Sequence, residues 1–386
     1  MNTQQKTDTY TANTYKHKNA VLTKGTNAVV TDENGKNYID FTSGIGVNSF
    51  GFCDEKWIEA IEKQLHKIQH TSNIYYNEPS AVLAELICKK TKMKKVFFAN
   101  SGAEANECAI KVARKYAKDK YTEQKNTIIT LKNSFHGRTI ATVSATGQDE
   151  FHKDFKPLLD GFKHTEANNI KALKNIVTDD VCAIMFECVQ GEGGVNTLDL
   201  DFVKTIEKIC KEKDVLMIVD EVQTGNGRTG KLYAYEHFGI KPDIVTTAKG
   251  LGGGLPIGAC ILGEKAENTL TYGTHGSTFG SNPIVCAGAI SVLERIDDEF
   301  LNNVEKKSKI IFNFLKEVKN VESVSGLGLM IGIKTNKNAN EVAEKCLEKG
   351  LLVLTAKDKI RLLPPLTISE SELSEGLKIL KEVIEE

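Results

Sequence analysis

From residue 96 onward the apolar positions follow two alternating rhythms. Short solid runs at Val96–Ala99, Thr127–Leu131, Val181–Glu187, Val215–Val219, Ile244–Thr247 and Gly258–Leu262 predict strands. After the first of them, Ala105, Cys108, Ala109, Val112, Ala113 and Tyr116 recur at helical spacing, and Phe202, Ile206 and Ile209 mark a second helix. Solid runs alternating with amphipathic helices predict an α/β fold, a mostly parallel sheet covered on both faces. The outer parts of the chain differ. Ala28–Thr31 and Lys36–Ile39 flank Asn34-Gly35 and read as a hairpin. A helix is expected near residues 284–317, with short strands at Val353–Leu354 and Arg361–Leu363. Ser369 and Glu372 form a capping-box pair opening a last helix, with Leu373, Leu377, Leu380 and Ile384 on one face. The expected division is a large α/β domain over residues 60–294 and a smaller α+β domain made of residues 1–59 and 295–386.

Charge adds an exclusion. The 50 Lys and Arg residues balance 51 Asp and Glu residues, so no basic surplus points to nucleic acid or to an anionic membrane. The apolar runs are too short to span a bilayer, and the opening MNTQQKTDTYTANTY lacks the apolar core of a secretory leader. The nine cysteines are scattered without a CxxC pair, and several sit in apolar runs. The expectation is a cytoplasmic protein with no disulfide framework and no metal site.

One glycine motif misleads. Gly225-Asn-Gly227-Arg-Thr-Gly230 is a literal GxGxxG, and with Lys231 it nearly spells a phosphate loop. Leu232 stands where that loop needs Ser or Thr. Asp220 to Thr224 intervene between the strand and the glycines, where a dinucleotide fingerprint allows nothing. The motif reads instead as a tight excursion of the loop.

The chemistry sits at the predicted strand ends, where open α/β sheets bind ligands. Asp220 ends one strand; Lys249 follows another and precedes Gly250-Leu-Gly-Gly-Gly254. Alone, the acid reads as a loop carboxylate and the lysine as an exposed cation. Together they suit pyridoxal 5'-phosphate, which needs a lysine for its Schiff base and an acid beside its ring nitrogen. Ser101, Gly102 and Ala103 open a helix whose amides and dipole suit a phosphate, although Ser101 serves equally as an ordinary cap. Phe135 and Arg138, beyond another strand, offer a ring to stack and a guanidinium for a carboxylate.

The stretches SGAEANE (101–107), FHGRT (135–139), QGEGG (190–194), VDEVQTGNGRTG (219–230), AKGLGGGLPIGA (248–259), THGSTFGSNP (274–283) and RLLPPL (361–366) occur in the order seen in class III, subgroup II, aminotransferases, which the chain resembles over nearly its whole length. The resemblance implies the aspartate-aminotransferase-like fold type I and a homodimer with sites at the subunit interface. It implies that Lys249 carries the cofactor, Asp220 faces the ring nitrogen, Phe135 covers the ring, Gln223 lies near the ring hydroxyl, and Gly102 and Ala103 hold the phosphate. Thr278 matches a residue reaching the phosphate of the neighbouring subunit. Arg138, Glu192, Arg361 and Tyr15 match substrate-side positions. The members most alike imply transfer of the ω-amino group of N-acetylornithine to 2-oxoglutarate, a step of arginine biosynthesis. Succinylornithine, ornithine or 4-aminobutyrate as donor, an aminomutase reaction, and a non-catalytic regulator are the alternatives. Gly51-Phe-Cys-Asp-Glu55 departs from the family's usual Gly-His-x-His-Pro, and Gly44-Ile45-Gly46 lacks the tyrosine that ornithine-specific members place there.

Overall fold

The computed structural model describes all of residues 1–386. Its centre is a seven-stranded sheet in the order Lys95–Ala99, Gly258–Leu262, Ile244–Thr247, Leu216–Asp220, Val181–Phe186, Thr127–Leu131, Phe162–Thr165. Gly258–Leu262 runs antiparallel to both its neighbours, and the pairings from Ile244–Thr247 to Phe162–Thr165 are parallel. The fold is therefore α/β, with one reversed strand in the sheet.

The solid apolar runs have a physical reason. Successive residues of a strand point to opposite faces. Met217 and Val219 enter one core with Ile184, Phe186 and Val245, while Leu216 and Ile218 enter the other with Ala183, Met185 and Ile244. Helix Gly102–Lys120 covers the second face through Cys108, Ala109, Val112 and Ala113. Helices Glu78–Thr91 and Pro283–Glu294 pack together beside the first.

A separate core joins the two ends of the chain. Phe41 and Ile39 pack with Ile331, Ile333, Leu362, Leu377 and Ile384. Leu351–Leu352 adds a parallel strand to Asn37–Asp40. A second antiparallel sheet runs in the order Val321–Leu327, Met330–Thr335, Lys359–Leu362, Leu354–Ala356.

Several elements differ from the sequence reading. The helix expected near residues 284–317 is two helices, Pro283–Glu294 and Asp298–Lys316. Asp297 breaks them by accepting the Phe300 amide at 2.8 Å as the cap of the second. The Val353–Leu354 strand is split between Leu351–Leu352 and Leu354–Ala356, and Arg361–Leu363 is displaced to Lys359–Leu362. The strand read as Val215–Val219 is Leu216–Asp220, which makes Asp220 the last strand residue. No helix is long and apolar enough to cross a membrane.

Candidate active site

The carboxyl ends of the parallel strands open into a cleft of about 580 Å³. Tyr15, Ser101, Gly102, Ala103, Phe135, Arg138, Asp220, Gln223 and Lys249 all line it. Register explains the central pair: Asp220 lies opposite Thr246 on the next strand, and the chain then turns through Lys249. Lys249 has φ +46°, a left-handed conformation that a side-chain-bearing residue rarely adopts. Burial lowers the Lys249 ammonium below the ordinary lysine range, with Arg361 acting in the same direction and Glu192, Asp220 and Glu187 opposing. A lysine so placed loses its proton readily and presents a nucleophilic amine.

Asp220 is buried and firmly held. Its Oδ2 accepts from Asn106 Nδ2 at 2.7 Å and meets His136 Nδ1 at 2.8 Å, and its Oδ1 accepts the Val222 amide at 3.0 Å. Asn106 also donates to the His136 carbonyl at 2.7 Å and accepts from Thr246 Oγ1 at 2.6 Å, so one amide ties the helix, the Phe135 loop and the sheet together. The sequence alone does not mark Asn106 and His136 as site residues. A polar residue on the apolar face of helix Gly102–Lys120 was the available signal for Asn106.

Glu187 is a third residue missed. It is buried in the cleft wall, and burial, then the Asp220 charge, push its carboxyl well above the usual range. Its Oε2 accepts the Phe135 amide at 2.9 Å, its Oε1 the Gly191 amide at 3.4 Å. One side chain thus fixes the loop of Phe135 and the loop of Glu192.

Behind Gln223 lies an ion pair, Arg361 Nη1 to Glu192 Oε1 at 2.6 Å, with Arg361 only 3% exposed. Gln223 joins it from both ends, accepting from Arg361 Nη1 at 3.1 Å and donating to Glu192 Oε1 at 3.3 Å. Burial alone would raise the Glu192 carboxyl; Arg361, Lys249 and Gln223 outweigh it and hold it below its ordinary range. The Arg361 Nε has no partner. Arg138 forms no ion pair; its guanidinium lies over the Phe151 ring at 4.3 Å and the Phe135 ring at 5.6 Å, leaving its donors to the cleft.

Two candidates are held less closely: one at the cleft's rim, the other outside it. Tyr15 is 79% exposed on the N-terminal segment. Thr278 is exposed on the loop 271–282 and is not among the residues lining the cleft of its own chain.

The residues present fit pyridoxal phosphate. Ser101 caps helix Gly102–Lys120 by accepting from the Glu104 amide at 3.2 Å, which leaves the Gly102 and Ala103 amides without partners in the chain, free for a phosphate. A Cβ on Gly102 would strike Val222 at 2.6 Å, so only glycine lets the helix start this close to the Asp220 turn. Asp220, Phe135 and Lys249 supply an anion, a ring face and an amine around the same space.

A mixed α/β sheet with a lysine and an acid at adjacent strand ends and a helix N-terminus beside them defines a pyridoxal-phosphate enzyme. The chain belongs to the class-III aminotransferases, whose family profile matches residues 10–384. It is 52% identical over 380 residues to an acetylornithine aminotransferase of Haemophilus ducreyi, covering 98% of this chain and 97% of that one. An N-acetylornithine aminotransferase from Stenotrophomonas maltophilia superposes with a TM-score of 0.85 at 34% identity, covering 98% of each chain. The ornithine aminotransferase of Toxoplasma gondii, a structure with partial occupancy of pyridoxal phosphate at its active site, superposes at 0.93 with 30% identity, covering 99% of this chain and 93% of that one.

Proposed function

We propose that this enzyme moves the ω-amino group of N-acetylornithine to 2-oxoglutarate, giving N-acetylglutamate 5-semialdehyde and glutamate, as a homodimer of the cytoplasm serving arginine biosynthesis. The buried Arg361–Glu192 pair behind Gln223, together with an Arg138 in the cleft wall that forms no ion pair, carries this reading. The donor has its carboxylate far from the reacting nitrogen, whereas 2-oxoglutarate has two carboxylates. One cation must therefore stay available and the other must be masked for the donor. Arg138 is the first; Arg361, neutralised by Glu192, is the second. When the oxo acid enters, Glu192 gives way and Arg361 takes the carboxylate beside the reacting carbon.

When bound, pyridoxal phosphate supplies a carbonyl carbon for the amine and a ring that takes up electron density. Asp220, oriented by Asn106 and His136, keeps the ring nitrogen protonated. Phe135 would cover the ring, and the Gly102 and Ala103 amides would take the phosphate. Lys249 would hold the cofactor, and its amine, when not so engaged, would move a proton at the substrate carbon as general base and then acid.

Gly44 favours an acylated donor. A Cβ there would meet nothing nearer than the Asn48 side-chain Nδ2 at 3.8 Å, so the space beside the turn is open. The homodimer is supported by an uncovered apolar patch. Ile74, Tyr75, Tyr76, Tyr272 and Phe279 stand exposed, and Asn73 joins the two loops by donating to Ser277 O at 2.9 Å and Gly280 O at 2.8 Å. A partner covering this patch would meet Thr278, the residue assigned to the neighbouring site. Nine free cysteines, most of them buried, accord with a reducing compartment.

The test is a donor panel of N-acetylornithine, succinylornithine, ornithine and 4-aminobutyrate with 2-oxoglutarate, following glutamate. N-acetylornithine should give the highest kcat/KM. Preference for free ornithine, or product formed without any oxo acid, would overturn the assignment.

A further inference from the structure

The Gly225–Gly230 loop, a tight excursion after the strand that ends at Asp220, is closely constrained by its surroundings. A Cβ on Gly225 would meet the Glu221 carbonyl at 2.7 Å and the Tyr233 ring at 2.8 Å. Asn226, Gly227 and Gly230 all have positive φ, at 57°, 87° and 86°. Every residue from Val222 to Gly230 is buried apart from the half-buried Val222 itself. Such a conformation persists only where its surroundings hold it in place.

Two side chains leave this loop in opposite directions. Asn226 Nδ2 donates to Thr247 Oγ1 at 2.9 Å and to the Ala248 carbonyl at 3.2 Å, the two residues immediately before Lys249. Arg228 is completely buried, and its Nη1 donates to the Leu329 carbonyl at 3.1 Å and the Pro364 carbonyl at 2.5 Å. Pro364 lies three residues beyond Arg361. The Arg228 carbonyl in turn accepts the Leu329 amide at 2.9 Å, so the turn at Leu329 is gripped twice. Gly328 lets the two backbones meet, since a Cβ there would fall 2.5 Å from the Arg228 carbonyl. A buried guanidinium without an ion pair is costly in free energy, and what its bonds to the Leu329 and Pro364 carbonyls secure is position. The Asp40 charge nearby raises its hold on the proton only in part, and burial brings Arg228 down to about 9.

We propose that the Gly225–Gly230 loop is a brace fixing the spacing between Lys249 and Arg361, with Asn226 and Arg228 as positioning residues that act through Ala248 and Pro364. One end of the brace holds the backbone of the amine that carries the cofactor. The other holds the strand end that carries the cation for the oxo acid. The inference rests on the roles given above to Lys249 and Arg361. Misplacement by about 1 Å at a reacting centre costs on the order of a hundredfold in rate, so a brace between the two anchors has kinetic consequences.

The two ends are tested separately in the holoenzyme. N226G removes the amide while glycine accepts the φ of 57° without strain. It should shift the pH midpoint of the visible absorbance of the lysine-bound cofactor by about half a unit or more. R228M removes the donors while filling the space, and R228K returns a charge and donors. R228M should raise the KM for 2-oxoglutarate about tenfold while leaving the single-turnover rate with the amine donor within about twofold, and R228K should recover part of the loss. Amide exchange at Leu329 should speed up in R228M. If R228M does not fold, R228K and N226G carry the test. An unmoved absorbance midpoint in N226G, or equal effects of the Arg228 variants on both half-reactions, overturns the brace. R361A, assayed alongside, separates the cases: an oxo-acid defect in R361A with none in R228M leaves the proposed function standing and removes the brace, whereas no half-selective defect in R361A removes the assignment of Arg361 itself.

Discussion

Replacing Glu192 by alanine separates a gate from a static ion pair. The bond it removes is charge-assisted, 2.6 Å long, to an arginine only 3% exposed. Such bonds contribute about 1.5–3 kcal/mol, which corresponds to roughly 10- to 150-fold in an equilibrium constant. With Glu192 gone, Arg361 is unmasked at all times. The apparent affinity for 2-oxoglutarate should therefore rise by a factor in that range. The amine donor, now facing an uncompensated cation, should react more slowly by a similar factor. R361A should do the reverse, weakening the oxo-acid half-reaction and sparing the amine half. Stopped-flow absorbance of the bound cofactor resolves the two halves in single turnovers. Thermal unfolding guards against simple loss of fold, since an unpaired buried charge can destabilise by about 3–5 kcal/mol. E192Q keeps the shape and hydrogen bonding and should fall between wild type and E192A. Equal slowing of both halves in R361A, in a folded protein, would refute the gate and leave a structural pair.

Other expectations follow from the same geometry. K249A should lose turnover and the yellow absorbance of the lysine-bound cofactor; normal turnover would remove Lys249 from its role. D220N should fold but lose on the order of a hundredfold or more in rate, because the anion at the ring nitrogen is gone; activity within twofold of wild type would assign that work elsewhere. Inactive K249A and T278A subunits, mixed under conditions of proven exchange, should regain activity if Thr278 serves the neighbouring site. Burial pushes the Glu221 carboxyl from its ordinary 4.5 up to about 7, against hydrogen bonds from Thr224, Ala234 and Tyr235. Between those values the folded state keeps a proton that the unfolded chain has released, so this contribution is full at low pH and is lost as pH rises. It amounts to on the order of 3 kcal/mol, and urea unfolding from pH 4.5 to 7.5 should show a flatter profile for E221Q; parallel profiles would contradict it.

What the sequence revealed of the site follows from where its residues stand in the chain. Asp220 and Lys249 close apolar runs, so each announces itself locally, and strand ends are where such sheets bind ligands. Arg361 and Glu192 are 169 positions apart, and no spacing rule joins them; they were named through the family resemblance. Glu187, His136 and Asn106 escaped because their importance lies in what they touch across the fold. Glu187 simply looked like the tail of an apolar run. Among the strands, Phe162–Thr165 was invisible because it is an edge strand carrying Lys163 and His164, with no solid run to read. Gly225–Gly230 was legible as a tight loop, but the destinations of Asn226 and Arg228 lie 22 and 136 positions away.

The cysteines, useful in the sequence only for naming a compartment, turn the folded chain into its own indicator. Seven of the nine are buried, Cys88 is partly covered, and Cys53 alone is exposed. A bulky water-soluble thiol reagent should therefore titrate one equivalent per chain rapidly and the remainder only as the structure opens, so that reaction stoichiometry against time becomes a clock for unfolding. Cys53 directly precedes Asp54, whose carboxylate caps helix Glu55–Leu65 through the Trp57 amide at 2.9 Å and also pairs with Arg295 at 2.8 Å. A fluorophore attached there would report on the join between the N-terminal segment and the helix pair around residue 295, without a single engineered mutation.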